Sequence, residues 1–374
     1  MLEKTVSHSA LLNLYGLSLS ELEALMCAWG EPAYRGRQLF QWIYQKQAES
    51  FQAMSSLPKR LRERLAVEAR LERIRLERLQ RASDGTVKFL FRLRDGRAIE
   101  SVLIPDFDES GAPKRLTVCV SSQVGCALRC AFCATGQMGF WRNLDPGEIV
   151  DQVAQLDRYA RVHWGRAVTN VVYMGMGEPL QNYRNVLLSS QILCSELGLA
   201  IPNRHITVST AGLARQIRQL ADDGARFKLA LSLHAPDDEK RSRIMPINKG
   251  NDLEALREAL RYYYAKCRRR ITYEYVLLRD FNDSEADARK LIQIARWVPC
   301  KINLLWYNPV PGAPFARTTP ERLERFRQVL LSAHVTVTVR RSRGDDIEAA
   351  CGQLAVREQA QRVDLTTPEK ALTL

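Results

Sequence analysis

The chain has 374 residues, 46% apolar and 26% charged, the balance of a globular protein long enough for one large α/β domain with an appendage or for two domains. No run approaches the ~18 uninterrupted apolar residues of a membrane span, and the segment through Glu3, Lys4, His8, Glu21 and Glu23 has no basic-then-apolar signal sequence, so a cytoplasmic protein with no membrane partner is expected. The 55 Lys and Arg against 42 Asp and Glu leave +13, an excess that favours polyanionic partners, because each neutralised phosphate releases condensed counterions.

Residues 1 to about 70 read as helical. Ser18 and Glu21 have the spacing of a capping box ahead of the run 18–26, and Trp42, Ile43 and Tyr44 belong to a second segment of helical spacing. Between 59 and 81, Lys59, Arg60, Arg62, Arg64, Arg70, Arg73, Arg75, Arg78 and Arg81 are interrupted by Glu63, Glu68, Glu72 and Glu77. That spacing fits a solvated helix face; the excess of cations beside Trp42 and Tyr44 fits an RNA-facing accessory domain over 1–82. Two Asp-Gly pairs, Asp84-Gly85 and Asp95-Gly96, flank the β-like runs 87–93 and 98–104 and predict a small antiparallel meander over 83–115. The segment 107–114 reads as a long surface hairpin.

From 116 to 355 strands alternate with helices. The strands are expected at 116–121, 170–174, 205–209, 228–233, 272–277, 301–306 and 335–339. Helical periodicity fills segments such as 147–159, 183–197, 253–266 and 284–297. Such alternation implies parallel strands joined by right-handed crossovers, in a complete or partial (β/α) barrel or a doubly wound sheet. The residues of chemical character (175–179, Ser209, Ser232, His234, Asn308) follow strand ends, the edge that carries active sites in barrels. Residues 356–374 read as a polar tail.

Nine cysteines (Cys27, Cys119, Cys126, Cys130, Cys133, Cys194, Cys267, Cys300 and Cys351) are an odd number in a chain without an export signal, which argues for reduced thiols, metal ligation or catalysis. Three of them form a C-x3-C-x2-C spacing, Cys126-Ala-Leu-Arg-Cys130-Ala-Phe-Cys133, on the loop after the first barrel strand. A structural zinc site wants four closed ligands, and no fourth Cys or His lies nearby, although a remote fourth ligand or plain buried thiols remain alternatives. Three thiolates suit a 4Fe–4S cluster with one iron left free of protein ligands. The chemistry most tied to this spacing is the binding of S-adenosylmethionine to that iron.

The spacing resembles that of the radical S-adenosylmethionine superfamily. The wider strings Leu116-Thr-Val-Cys119-Val-Ser-Ser-Gln-Val-Gly-Cys126, Met174-Gly-Met-Gly-Glu-Pro-Leu180, Thr207-Val-Ser-Thr-Ala-Gly212, Leu231-Ser-Leu-His-Ala235 and 343–354 resemble the RlmN/Cfr family of RNA methyltransferases, over roughly residues 30–355. A dinucleotide-binding fingerprint at 175–180 would need a glycine where Leu180 stands. The resemblance implies a partial barrel of the radical S-adenosylmethionine type. It implies that Gly177, Glu178, Ser209, Ser232, Leu233, His234 and Asn308 hold the cofactor, with Glu178 on the methionine amino group. Phe132 reads as an apolar shield beside the cluster cysteines.

The resemblance further implies methylation at C2 of an adenosine in 23S ribosomal RNA, and in transfer RNA, with flavodoxin as a suitable electron donor. C2 is electron-poor, so the methyl group goes first to a protein thiol, Cys351, by displacement from one S-adenosylmethionine. A second S-adenosylmethionine supplies a radical that activates the S-methyl group; a covalent protein–RNA adduct follows. Glu100 is the implied proton acceptor, and Cys119 the implied resolving thiol that leaves a transient disulfide with Cys351. Arg340, Arg341 and Arg343 before the Cys351 loop, and the block Arg268, Arg269, Arg270, fit phosphate contacts near the site mouth. Two rival readings stand beside this one: methylation at adenine C8, which shares every motif, and a non-catalytic zinc-stabilised RNA-binding protein.

Overall fold

Among the described residues, ten strands hydrogen-bond in one sheet whose spatial order is their order along the chain. Numbered in chain order they are β1 (Arg75–Arg81), β2 (Val87–Arg92), β3 (Ala98–Phe107), β4 (Pro113–Val120), β5 (Asn170–Tyr173), β6 (Ile206–Thr210), β7 (Lys228–Ser232), β8 (Ile271–Leu277), β9 (Cys300–Trp306) and β10 (Val337–Arg340). The structure, a computed structural model, describes residues 11–356. The polar tail expected over 356–374 lies, apart from Val356, outside the described residues.

Strands β1 to β4 are antiparallel and β4 to β10 parallel. Helices separate the parallel strands, among them Pro146–Trp164, Tyr183–Cys194, Ala214–Asp222, Leu253–Cys267, Glu285–Ala295 and Pro320–Ser332. β10 and β1 are the two ends of the sheet, so the barrel is partial. All seven expected parallel strands are present, with ends shifted by a few residues. They were readable because a strand covered on both faces is a continuous apolar run; every residue of β8 is buried.

The meander uses one turn geometry twice. Gly85 N–H donates to the Ala82 carbonyl (3.1 Å), and Gly96 N–H donates to the Leu93 carbonyl (3.0 Å), each turn closing a hairpin at an Asp-Gly pair. The strand ahead of the first turn is β1, where the charge spacing read as a helix face. The helix there, Lys59–Glu68, stops earlier. The acidic and basic partners meet across strands instead: Glu77 on β1 pairs with Arg92 on β2, while Leu76 and Leu79 face Phe91 and Phe89. The meander is therefore part of the barrel sheet, since β3 pairs with β4 and β4 with β5.

The N-terminal helices Leu19–Ala28, Tyr34–Phe40 and Lys59–Glu68 share one apolar core with the barrel, and the segments that connect them reach the barrel helix Pro146–Trp164. The expected capping box is present: Ser18 Oγ accepts Glu21 N–H, and the Glu21 carboxylate accepts Ser18 N–H. The contact with the barrel is backbone to backbone. A Cβ on Gly147 would lie 2.4 Å from the Tyr15 carbonyl oxygen, and one on Gly16 2.6 Å from Gly147 N. Beside it the buried Asp151 takes Arg73 Nη2 (2.7 Å) and Ile74 N–H (2.8 Å).

After β10 the chain crosses back over the C-terminal ends of the strands as a strap. Its tethers are Gly344 N–H to Asp84 Oδ2 (3.1 Å), Ala134 N–H to the Gly352 carbonyl (2.7 Å), Thr135 Oγ1 to the Leu354 carbonyl (2.6 Å) and Ala355 N–H to Glu100 Oε2 (2.9 Å). Among the described residues no helix is long and apolar enough to cross a membrane.

Candidate active site

The C-terminal ends of the parallel strands surround a cleft of about 170 Å³ that opens to solvent. The loop after β4 carries Cys126, Cys130 and Cys133 into it. Short strands Gln123–Gly125 and Phe140–Asn143 pin both ends of this loop, and Cys126 N–H donates to the Gly139 carbonyl (2.8 Å). All three thiols line the cleft. Burial pushes Cys126 up to about 12 and raises Cys133, and burial together with the neighbouring Cys133 and Cys126 thiols raises Cys130.

Three such sulfurs can ionise together only against a cationic core, so the donor set fits a metal group. Among the described residues no three His, Cys, Asp or Glu side chains are placed on a single metal ion. Three cysteine thiols from one loop, all facing the cleft, are a donor set that fits an iron–sulfur cluster with one iron free of protein ligands. Phe132 lies against His234, with ring centroids 4.9 Å apart. His234 Nδ1 accepts Val276 N–H (3.1 Å), which leaves the ring proton on Nε2, and burial pushes this imidazole down to about 3, so it is neutral.

At the end of β5, Gly177 has φ +98°, and a Cβ there would meet Gln123 Cβ at 2.5 Å. Only glycine fits this turn against the cluster loop. Glu178 follows, buried, with Leu180 N–H on Oε1 (3.0 Å) and Ala211 N–H on Oε2 (2.8 Å). Burial pushes its carboxyl up to about 7 in spite of those donors. A cation delivered to the cleft would restore its charge. Ser209 and Ser232 face each other at 3.2 Å.

Leu233 does not line the cleft. Its side chain is in the core, its N–H donates to the Glu274 carbonyl (3.0 Å), and its own carbonyl accepts from buried Arg241 (3.2 Å). Asn308 holds the strap, donating from Nδ2 to the Cys351 carbonyl (3.2 Å) while its Oδ1 accepts from Ser342 (2.6 Å) and Arg317 (3.1 Å).

A second cavity adjoins the cleft, lined by Cys119, Arg340, Ala350 and Cys351 among others. Cys351, Met174, Trp306, Asn308 and Arg340 line both spaces, so the Cys351 thiol stands at their junction. Cys119, inside β4, is buried; its thiol is pushed up to about 12, first by burial and then by Cys351, with Arg340 opposing. Arg340 in turn gains proton affinity mainly from Cys351.

Glu100 lines neither space. It sits on β3, on the face shared with Val102 and Cys119, under the strap. Lys88 Nζ lies 3.2 Å from Oε1, and Ala355 N–H donates to Oε2; burial still raises its proton affinity above the ordinary carboxylate range.

The block Arg268, Arg269, Arg270 is not at the site mouth. It ends the helix Leu253–Cys267 and leads into the first residue of β8, at the opposite edge of the sheet from the cleft, because a crossover helix returns the chain to the strand's N-terminal end. Sequence reasoning missed Lys88 and Glu274. Glu274 had a signal, as the one acidic residue in the apolar run of β8.

Profiles of two families match the chain: the radical SAM superfamily over residues 120–292, and the ribosomal RNA large subunit methyltransferase N-terminal domain over residues 12–71. The chain is 55% identical over 359 residues to a probable dual-specificity RNA methyltransferase RlmN of Salinibacter ruber, covering 94% of this chain and 97% of that one. It is 45% identical over 354 residues to the dual-specificity RNA methyltransferase RlmN of Anaeromyxobacter dehalogenans, covering 94% and 93%. A crystal structure of a radical SAM methyltransferase from Sphaerobacter thermophilus superimposes with a TM-score of 0.85 at 47% identity, over 92% of this chain and 99% of that one.

Proposed function

Because the chain belongs to the RlmN family of radical S-adenosylmethionine RNA methyltransferases, we propose that it methylates C2 of an adenosine in 23S ribosomal RNA and in transfer RNA, in the cytoplasm, by way of Cys351. The family brings a 4Fe–4S cluster and S-adenosylmethionine. Cys126, Cys130 and Cys133 are the ligands, and Gly177, Glu178, Ser209, Ser232, His234 and Asn308 form the cofactor pocket, with Leu233 shaping its wall from behind. Bound there, the cluster supplies the electron that splits S-adenosylmethionine reductively; two molecules of it are used per methylation, and a flavodoxin-type protein is a suitable electron source.

The observation that carries the reading is the position of Cys351 at the junction of the two spaces, open to the cluster cleft on one side and to Cys119 on the other. Cys351 acts first as a nucleophile that accepts a methyl group, with the Arg340 guanidinium beside its sulfur. The activated methyl carbon then bonds to the adenine, joining protein to RNA through the Cys351 sulfur. Glu100 takes the ring proton, and the odd electron of the adduct would return to the cluster. The Cys119 thiolate finally attacks the Cys351 sulfur and forms the disulfide; the carbon it displaces keeps the electron pair of the broken S–C bond and takes up a proton to become the new methyl group.

Digestion of RNA from cells with and without this protein, followed by mass spectrometry, tests the reading. The expected product is 2-methyladenosine; exclusive 8-methyladenosine would overturn the C2 assignment. Cys119→Ala should accumulate an RNase-sensitive protein–RNA adduct, and normal turnover of that variant would remove Cys119 from the resolving role. A colourless zinc protein from anaerobic purification would instead favour the non-catalytic RNA-binding reading.

A further inference from the structure

Glu274 has no part in the methyl-transfer scheme, yet it is 4% exposed and lines the cleft. Strand register sets it between Ser232 on β7 and Asn303 on β9. Asn303 Nδ2 donates to Glu274 Oε1 (2.8 Å), and the Asn303 oxygen is itself taken by Thr338 Oγ1. With the Ser209–Ser232 contact, a row of polar side chains crosses from β6 to β10 through an apolar interior. Glu274 Oε2 is the acceptor in that row without a hydrogen-bond partner.

Such an orphan is costly. A buried polar atom left without a partner is destabilising, and a charged one more so. Burial duly raises the proton affinity of Glu274, with Arg340 opposing. A group of this kind in a binding cleft is explained when a ligand completes it. An ammonium ligand already has its match in Glu178, at the Gly177 end of the cleft. The cross-strand neighbours of Glu274 are the polar and uncharged Ser232 and Asn303, and a carboxylate aimed at a sugar hydroxyl is how nucleotide-binding folds hold ribose.

We propose that Glu274 Oε2 accepts a hydrogen bond from a ribose hydroxyl of the nucleoside held in the cleft, fixing the sugar against Ser232. The proposal rests on the reading of the cleft as a nucleoside site. The hydroxyl belongs either to the cofactor or to the target nucleotide.

The test is equilibrium binding to the cluster-loaded protein, which needs no turnover. In one arm the probes are S-adenosylhomocysteine and its 2′-deoxy and 3′-deoxy forms; in the other, an RNA hairpin with adenosine or 2′-deoxyadenosine or 3′-deoxyadenosine at the target position (the last as a 3′-terminal end). Wild type is compared with Glu274→Gln and Glu274→Ala, with thermal unfolding as the check on folding. The expected result is a loss of about tenfold or more when one hydroxyl is removed from the wild-type complex, and no further loss from the same deletion in the variants.

That pattern in the first arm assigns the cofactor ribose, and in the second arm the RNA ribose. Equal losses in wild type and variants in both arms, or no loss in wild type, overturn the proposal. If wild type holds no S-adenosylhomocysteine at all, the cofactor reading of the cleft falls separately, and the RNA arm alone decides. The deoxy probes on wild type keep the result decisive even if both variants fold poorly.

Discussion

A single buried ion pair sets the proton chemistry beneath the strap. Glu100 is held up by burial and brought down chiefly by Lys88. In the proposed role of proton acceptor it must be ionised, so activity should be lost as pH falls through its raised pKa. Lys88→Met removes the opposing charge and moves that point to higher pH. The acid limb of a single-turnover pH–rate profile should therefore shift upward, with the rate recovering on the alkaline side. An unshifted limb would take Glu100 out of the proton step. The same variant should lose on the order of 3 kcal/mol of stability at neutral pH. That loss should shrink on acidification, because protonated Glu100 needs no partner.

His234 makes a second statement at this scale. The unfolded imidazole protonates below about 6.5, whereas the folded one stays neutral until about 3. The unfolded state thus binds the extra proton, and stability falls at roughly 1.4 kcal/mol per pH unit below that point. Urea unfolding should show about 2 kcal/mol lost from this group between pH 6.5 and 5. His234→Asn removes that part of the slope; it keeps an acceptor for Val276 and suits the φ of +57° at this position.

At the scale of elements, the N-terminal helices are seated by the contact of Gly16 with Gly147. A Cβ at 147 meets backbone on the far side, which has no side chain to swing away. Gly147→Ala should cost about 1–3 kcal/mol, and hydrogen exchange should show the helix Leu19–Ala28 opening before the barrel. Uniform destabilisation of both parts would mean the seat is not where the domains separate.

The elements also mark what the sequence made legible. Buried parallel strands announce themselves as apolar runs, and Asp-Gly pairs as hairpins, so the barrel and the meander turns were readable. β1 was not, because its charges satisfy a helical spacing and a cross-strand pairing equally well, and only Glu77 against Arg92 decides between them. The three loop cysteines, proposed as cluster ligands, stand out by local spacing. The meeting of Cys119 with Cys351 does not, since it depends on the strap crossing the whole sheet; only resemblance to a family pointed to it. Lys88 was invisible for a related reason: it matters through a partner on a neighbouring strand, and no local pattern records that. Glu274 did leave a signal, as the one acidic residue in the apolar run of β8, but its Asn303 partner is again on a neighbouring strand.

The whole molecule carries +13, but much of the basic run near the N-terminus is neutralised internally. Lys59 pairs with Glu63, Arg64 with Glu68, Arg70 with Glu72 and Arg73 with Asp151. Arg60, Arg75 and Arg78 have no ion pair among the described residues. Two explanations compete for Arg75 and Arg78. They lie on β1, the edge of an open sheet, where charged side chains discourage pairing with another chain. They also extend the cationic surface of the N-terminal helices, where RNA phosphates would dock. Salt dependence separates the two. Each phosphate that a variant leaves unneutralised should lower the slope of log affinity against log salt by roughly 0.7–0.9. Arg60→Gln, Arg75→Gln and Arg78→Gln together should therefore flatten the salt dependence of RNA binding by about two units, whereas Arg64→Gln and Arg70→Gln, already neutralised, should leave the slope alone. If the triple variant instead keeps its slope and self-associates with rising concentration, the β1 arginines guard an edge, and the RNA-facing surface lies elsewhere on the molecule.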